Sequence, residues 1–457
     1  MMLDVAVIGG GPAGASCAMR LQQFGLAVAL FEKGEGRRQH VGESLPSSTS
    51  VVLESLELTL PDEVVEPRPP EHFVYWGPMS GGGARAHQET SFLVWRGPFD
   101  AFLRAAASER GVRVIEAPVS RVGPIEEGHA LEYGDGRTLA CRFVVDASGR
   151  AGIVAKVYRQ RVEALRTLAL TGHFETNETS PPTIVETFAD GWVWSAPLQN
   201  GLRDVTVMVE GGAVRDKDRD AAYQAGIDGA PHVRSILESS PRADPVRGID
   251  ATPYKASRFC GRDFLLVGDA ASFLDPLSAH GVHKAMDGAL VAAAVARTVL
   301  ERPAMAAEAM SFYDDRERDI FDITRARLAR LYAQETRYAD RPFWTKRAVS
   351  DAPPLEPKRP PAPLTPETPL CAGDGVEVVE GPVLENDFIE RRELLVAPEM
   401  ERPVRYLGAV LLPDLFRVAV TAGTAARAAT AVGGAYEPTY AAIEWLYRQE
   451  YLVVAEP

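Results

Sequence analysis

Gly9, Gly11 and Gly14 form a GxGxxG pattern in the segment VIGGGPAG, with Pro12 and Ala13 between the last two glycines. Residues Leu3 to Ile8 read as a buried strand before it, and Ala13 to Phe24 read as a helix after it. In that setting glycine permits a tight turn, lets the backbone approach a pyrophosphate and allows a helix to pack closely on a strand. A second strand, Ala27 to Phe31, leads into Glu32, where a carboxylate can accept hydrogen bonds from ribose hydroxyls, with Lys33 beside it. These residues predict a dinucleotide site and do not by themselves choose between nicotinamide and flavin.

More distant segments make that choice. GDAASFLDPLSAHGVHKAM, from Gly268, is a strand-turn-helix sequence that resembles the second cofactor motif of FAD-dependent monooxygenases and halogenases. The resemblance implies FAD, with Asp269 on the ribityl chain and Gly268, Pro276, Gly281 and Val282 lining the flavin. A helix starting there would present its N-terminal amides to the isoalloxazine and favour negative charge on the reduced ring. WRGPFDAFL, with Arg96 and Asp100, resembles the family segment whose arginine approaches the cofactor. GES, with Glu43 and Ser44, resembles the loop that passes the flavin, and DASGR, Asp146 to Arg150, resembles the family's DxxG-type turn. The resemblance covers about residues 3 to 335.

Within this superfamily two reactions compete. GWVWSAP, with Trp192, Trp194 and Pro197, resembles the WxWxIP segment of flavin-dependent halogenases, with Ala196 in place of the isoleucine. Those halogenases also need a lysine several tens of residues after the GES-like loop, and the sequence has no lysine between Lys33 and Lys156. The expected reaction is therefore hydroxylation. Reduced FAD would react with O2 to give a C4a-hydroperoxide that transfers oxygen to an electron-rich aromatic ring. The protein would exclude water, orient the ring and supply a base, with His280 first and Glu43 and His72 next among the catalytic candidates. The alternatives are a halogenase with a displaced lysine, a double-bond reductase, or an FAD-containing protein that binds a partner without turnover.

The elements that would position these residues begin as a doubly wound α/β unit, a Rossmann-like FAD-binding domain expected over 1–165 and 245–350. Between its halves, 166–244 is strand-rich and predicts an antiparallel sheet that holds substrate. Helices are expected over Phe99 to Arg110, Val282 to Glu301 and Met305 to Tyr332. Residues 351–370, DAPPLEPKRPPAPLTPETPL, are too proline-rich to pack and predict an extended linker. Beyond it, 371–457 predicts a small α+β domain of winged-helix type, with strands in VEVVEGPVLENDF and ELLVAP, a helix at Pro438 to Glu450 and a strand at Tyr451 to Val454. Such a module can take up an extended segment by strand addition, which would make a polypeptide the aromatic substrate. That combination resembles flavoprotein monooxygenases that hydroxylate a tryptophan residue during maturation of a tryptophylquinone cofactor.

Composition excludes several other classes. With 457 residues the chain can bury a large core. A formal net charge of −14 leaves no basic footprint for nucleic acid, and no apolar run is long enough to span a bilayer. The N-terminal motif starts without a leader pattern, so the expected compartment is the cytoplasm. Cys17, Cys141, Cys260 and Cys371 are scattered and predict buried thiols, and His280 with His283 lacks the companions of a metal site, so no metal is expected. Only one dinucleotide motif is present, so NAD(P)H would dock transiently or act through a separate flavin reductase.

Overall fold

The β-branched, apolar stretches at Leu3–Ile8, Val28–Glu32 and the end of Arg137–Asp146 are buried along both faces, as strands covered on two sides must be. They lie side by side as parallel strands, with Leu3–Ile8 in the centre, Arg113–Glu116 beyond Val28–Glu32 and Phe264–Leu266 beyond Arg137–Asp146. An antiparallel hairpin, Val119–Pro124 and His129–Tyr133, and the short strand Cys260–Gly261 complete an eight-stranded sheet. Helix Pro12–Gln23 packs against this sheet and against helices Arg96–Glu109 and Gly281–Glu301. Ala289, Ala292, Ala293 and Ala296 are buried on the last of these, and their small side chains let the helices approach closely. The computed structural model describes residues 2–34, 42–65, 71–78, 84–85, 92–176, 182–198, 201–214, 218–349, 362–398 and 400–455.

A second sheet of seven strands runs in the order Arg247–Asp250, Thr167–Glu175, Leu202–Glu210, Gly191–Leu198, Thr183–Phe188, His72–Tyr75 and Ala84–Arg85. The expectation of a purely antiparallel sheet is corrected here. Thr183–Phe188 pairs in parallel with His72–Tyr75, so the sheet is mixed. His72–Tyr75 enters from a distant part of the chain, and alternation along a strand shows its faces without showing its partner or its direction. The sheet also extends past the expected 166–244 stretch to take in Arg247–Asp250.

The two faces of this sheet differ. Leu170, Phe174, Ile184, Val193, Val205, Val207 and Val209 point one way, under helices Arg219–Asp228 and Pro231–Leu237. Ala169, Trp192 and Met208 point the other way and pack on Tyr332, Phe343 and Trp344, with Phe273 and Leu277 of the second sequence motif against them. Trp192 Nε1–H donates to Tyr332 Oη at 3.1 Å, and the Tyr332 hydroxyl donates to Asp275 Oδ2 at 2.9 Å. Tyr332 belongs to the long helix Ala306–Ala333. Just beyond that helix, the buried Glu335 carboxylate accepts from Thr187 Oγ1 at 2.6 Å and from Gly77 N at 2.9 Å. Burial alone would raise its pKa, but bonds from Arg337, Thr187 and the Gly77 amide outweigh that and hold it at about 2.

The chain divides into two compact units, Met1–Ala352 and Pro353–Pro457. In the second, Glu377–Glu385 and Phe388–Val396 form a hairpin, followed by helices Leu412–Ala422, Ala425–Ala431 and Tyr436–Arg448, with Leu370–Ala372 paired to Leu452–Val454. Leu395, Leu412, Leu415, Ala428, Ile443 and Leu446 form its buried centre. The stretch read as one strand, VEVVEGPVLENDF, is broken at Asn386 and Asp387, which have φ of 50° and 62° and form the turn. Cys371 is half-buried, unlike the other three cysteines and against expectation, because it sits on a short two-stranded pair. Much of the expected linker, 351–361, lies outside the described residues. Among the described residues, no helix is long and apolar enough to cross a membrane.

Replacing Tyr332 by Phe would strip the hydroxyl that satisfies both Trp192 and Asp275 inside the protein. The expected loss is about 1–3 kcal/mol of stability, read from the urea midpoint of the first unit.

Candidate active site

The glycine turn is shaped by what lies against it. Gly9 has φ of +106°, and a Cβ there would stand 2.4 Å from the Ala147 carbonyl oxygen. A Cβ on Gly14 would stand 1.8 Å from the Gly9 carbonyl oxygen. Neither position accepts a side chain while the strand, turn and helix keep this packing. Gly11 caps helix Pro12–Gln23 with extended backbone, Pro12 begins its first turn, and Ala13 and Gly14 are buried behind it. Glu32, at the end of its strand, accepts from Gly10 N at 2.7 Å, and Arg104 donates to Gly10 O at 3.3 Å. Lys33 is exposed just after Glu32.

The DASGR turn meets Gly9 through Ala147. Its Asp146 is fully buried and accepts from Ser148 Oγ at 2.6 Å, Val154 N at 2.6 Å and Ala155 N at 2.8 Å. That carboxylate is spent on holding the loop. Arg150 lies over the Phe273 ring, 4.7 Å from its centroid, and so joins this turn to the second motif.

The second motif closes on the first through Gly268. Its φ is +63°, and a Cβ would stand 2.9 Å from Ala13 Cβ. Tyr254 donates to the Asp269 carbonyl at 2.7 Å, and the half-buried Asp269 side chain lies close enough to Glu43 to raise that group's pKa. Asp275 Oδ1 accepts from Leu277 N at 3.0 Å and shapes the turn Pro276–Ser278 that leads into helix Gly281–Glu301. Gly281 lies at the start of that helix, and a Cβ there would be 3.7 Å from Glu43 Oε1, while Val282 is buried in its first turn.

Glu43 and Ser44 stand on strand Gly42–Leu45, paired with Phe92–Trp95. Arg96, at the start of the next helix, donates to Glu43 Oε2 at 3.0 Å and to Asp100 Oδ1 and Oδ2 at 3.1 and 3.2 Å. Burial raises the Glu43 pKa, and the Arg96 guanidinium works against that rise. Burial would lower the Arg96 pKa, but the two carboxylates outweigh it and keep the guanidinium charged.

The histidines divide. His280 is exposed, and its Nδ1 contacts the Ser278 carbonyl. His283 lies within 3.3 Å of Thr49 Oγ1 and 3.4 Å of Ser48 Oγ, and burial lowers its pKa. His72 is half-buried opposite Thr183 in the mixed sheet, and burial lowers its pKa too. Among the described residues no cluster of three or more His, Cys, Asp or Glu side chains could hold a metal ion.

The sequence reading missed Lys284. Its Nζ donates to Ser272 O at 2.8 Å and Ser272 Oγ at 2.7 Å, with Gly268 O at 3.5 Å. Burial lowers its pKa, against the raising effects of Glu317 and Asp269. A lysine three residues into the helix was visible in the sequence, but periodicity alone could not direct its ammonium back beneath the Gly268 turn.

A flavin dinucleotide fits these residues. The glycine positions leave no room for Cβ atoms where a pyrophosphate must approach, and a helix N-terminus lies beside them. Ser44 Oγ is buried beside Glu43 without a hydrogen-bond partner among the described residues. A profile of the tryptophan halogenase family matches residues 81–359, and one of pyridine nucleotide-disulphide oxidoreductases matches residues 3–59. The chain belongs to the tryptophan halogenase family. It is an FAD-dependent oxidoreductase of the halogenase and monooxygenase group.

Tryptophan 2-halogenase of Chondromyces crocatus is 30% identical to this family member over 338 residues, which are 68% of this chain. The chain spans 64% of that relative's length. The solved structure of QhpG, a peptidyl tryptophan dihydroxylase essential for tryptophylquinone cofactor biogenesis, is 27% identical. The likeness covers 98% of this chain and 99% of QhpG, with a TM-score of 0.76. CmlS, a flavin-dependent halogenase, shares the fold at 23% identity and a TM-score of 0.80, over 100% of this chain and 96% of its own.

Gly14→Ala would drive a methyl group into the Gly9 carbonyl. FAD affinity should fall roughly 100-fold, about 2.7 kcal/mol. Flavin absorbance retained after gel filtration checks this.

Proposed function

We propose that this chain is an FAD-dependent monooxygenase that hydroxylates an electron-rich aromatic ring, with a tryptophan residue of a polypeptide as the favoured target. The absence of any lysine between Lys33 and Lys156 carries the reading, because halogenation in the resembling enzymes needs one there. The resemblance to the peptidyl tryptophan dihydroxylase supports it, since that likeness extends over nearly the whole of both chains, the C-terminal unit included.

FAD, once bound and reduced, supplies the activation of O2. The chain's own residues do the rest. Gly9, Gly11 and Gly14 admit the pyrophosphate, and Glu32 and Asp269 receive the sugar and ribityl hydroxyls. The N-terminal amides of helix Gly281–Glu301 would favour the negative charge of a reduced flavin held there. Arg96, fixed by Glu43 and Asp100, would add a positive charge to that site. Trp192, Phe273 and Leu277 keep water from the sheet side. Electrons come from NAD(P)H docking transiently or from a separate flavin reductase, since the sequence carries one dinucleotide motif.

The C-terminal unit is the proposed recruiter of the polypeptide, as a winged-helix-like module. Strand Glu377–Glu385 pairs with Phe388–Val396 on one side and has no ladder partner on the other among the described residues. An extended peptide can add there as a further strand.

The deciding experiment supplies reduced FAD and air to the protein with tryptophan-containing peptides, free tryptophan, and either chloride or bromide. Mass spectrometry should show one or two oxygen atoms gained, with no dependence on halide. A product carrying chlorine or bromine would move the chain to halogenation.

A further inference from the structure

The strand that carries Trp192 on one face of the mixed sheet approaches strand Gly42–Leu45. Antiparallel partners share a face, so the register shows what that face displays. Trp192 stands opposite Met208, which stands opposite Ala169. Trp194 comes next, with Thr206 and Thr171, and then Ala196, with Asp204 and His173. Four residues along each strand, two rows from the tryptophan that touches the second flavin motif, the lining thus changes from apolar to acid and imidazole.

These two side chains are deeply buried: Asp204 is 0% exposed and His173 8%. Asp244 Oδ2 accepts from His173 Nδ1 at 2.8 Å, and Asp244 Oδ1 accepts from the His173 amide at 3.0 Å. In the neutral tautomer with Nδ1 donating, Nε2 is left as an acceptor. It stands 3.8 Å from Asp204 Oδ2, within ion-pair reach but beyond a hydrogen bond. Thr206 Oγ1 donates to Asp204 Oδ1 at 2.9 Å, with Thr171 Oγ1 at 3.3 Å. His173 Nε2 and Asp204 Oδ2 therefore remain buried with no hydrogen-bond partner among the described residues. Unsatisfied buried acceptors side by side are costly, and a donor from a ligand would relieve both.

We propose that His173 and Asp204 form the proton-accepting end of the aromatic-substrate site, with Asp244 as the residue that positions the imidazole. The proposal rests on the monooxygenase reading and assigns its base to residues other than His280. Hydroxylation consumes the ring, O2 and reduced FAD, and yields hydroxylated ring, water and oxidised FAD. At the ring carbon that gains oxygen the C–H bond breaks, its electron pair restores aromaticity, and the proton goes to His173 Nε2 or Asp204 Oδ2. Before that step the same atoms can accept the N–H of an indole or the O–H of a phenol.

The surroundings set the working range. Burial raises the Asp204 pKa to about 6, against the lowering effects of His173, Thr206 and Thr171, and Asp244 adds to the rise. Asp244 is pushed the other way: burial would raise it, but His173 and Arg247 hold it below the usual range. Arg242 and Tyr223 also lie near this end of the sheet. The base is ionised above about pH 6, so product formation rises with pH through that value. A folded pKa raised from 3.8 costs the fold stability as pH climbs through about 6. Asp204→Asn removes that cost, so the variant is a fair test at pH 8.

Holoenzyme carrying Asp204→Asn or His173→Gln should retain FAD and still reduce O2, but release hydrogen peroxide in place of product. The ratio of product to peroxide should fall roughly 100-fold. A primary isotope effect should appear on ring-deuterated tryptophan peptide, and the pH limb near 6 should vanish in Asp204→Asn. Thr206→Val, which removes a donor to Asp204, should move that limb upwards. Equilibrium dialysis of indole against wild type and Asp204→Asn, from pH 5 to 8, reads binding without turnover, and affinity should depend on pH only in the wild type. Equal coupling, isotope effect and pH profile in all variants would overturn the inference and leave the monooxygenase reading standing. No oxygenated product from wild type, with indole binding still governed by Asp204, would sink that reading and keep the donor site.

Discussion

The hydrogen-bonded chain from Trp192 through Tyr332 to Asp275 joins three parts of the fold that the sequence keeps far apart. Trp192 belongs to the mixed sheet, Tyr332 to the long helix, and Asp275 to the turn within the second flavin motif that leads into helix Gly281–Glu301. Each polar group is buried and would be expensive to leave unpaired, so the sheet settles at one distance and one register over the flavin motifs. Glu335 repeats the device one turn later, taking Gly77, Thr187 and Arg337 together. The site lies where two independently legible layers are forced into a fixed relation.

Local chemistry made much of this visible in the sequence. The glycine turn, Glu32 and the Gly268 segment act through backbone conformation and helix starts, and such effects span only a few residues. The mixed sheet was legible as strands but not as a topology, since nothing in HFVY indicates that it will lie parallel to a strand beginning at Thr183. Polar contacts over long separations were the least legible. His173 meets Asp244 across 71 residues, and Trp192 meets Tyr332 across 140. His280 drew attention because it sits in a recognisable motif, whereas His173 sits in LTGHFET, where alternation alone made it one more strand residue.

The tryptophan pair also looks different in three dimensions. In the sequence, Trp192 and Trp194 stand together as a halogenase-like signature. In the fold their roles diverge: Trp192 is buried and bonded to Tyr332, while Trp194 is half-buried one row closer to Asp204. A family motif can therefore persist for the sake of its first residue, which fixes the sheet, while the surroundings of the second are free to take on other chemistry.

Lys284 sharpens the same point from the opposite direction. It stands half-buried within the second flavin motif, and a displaced halogenating amine would have to come from such a place. Its three donors are directed at Ser272 O, Ser272 Oγ and Gly268 O, all belonging to the motif itself. An ammonium used to hold the turn that carries Asp269 is not free to act elsewhere without undoing that turn. What stands on the sheet side is an acid and an imidazole, groups suited to taking a proton away and not to carrying an oxidised halogen. The ammonium of Lys284 thus steadies the Gly268 turn, while the acid and imidazole of the mixed sheet carry the proposed proton transfer.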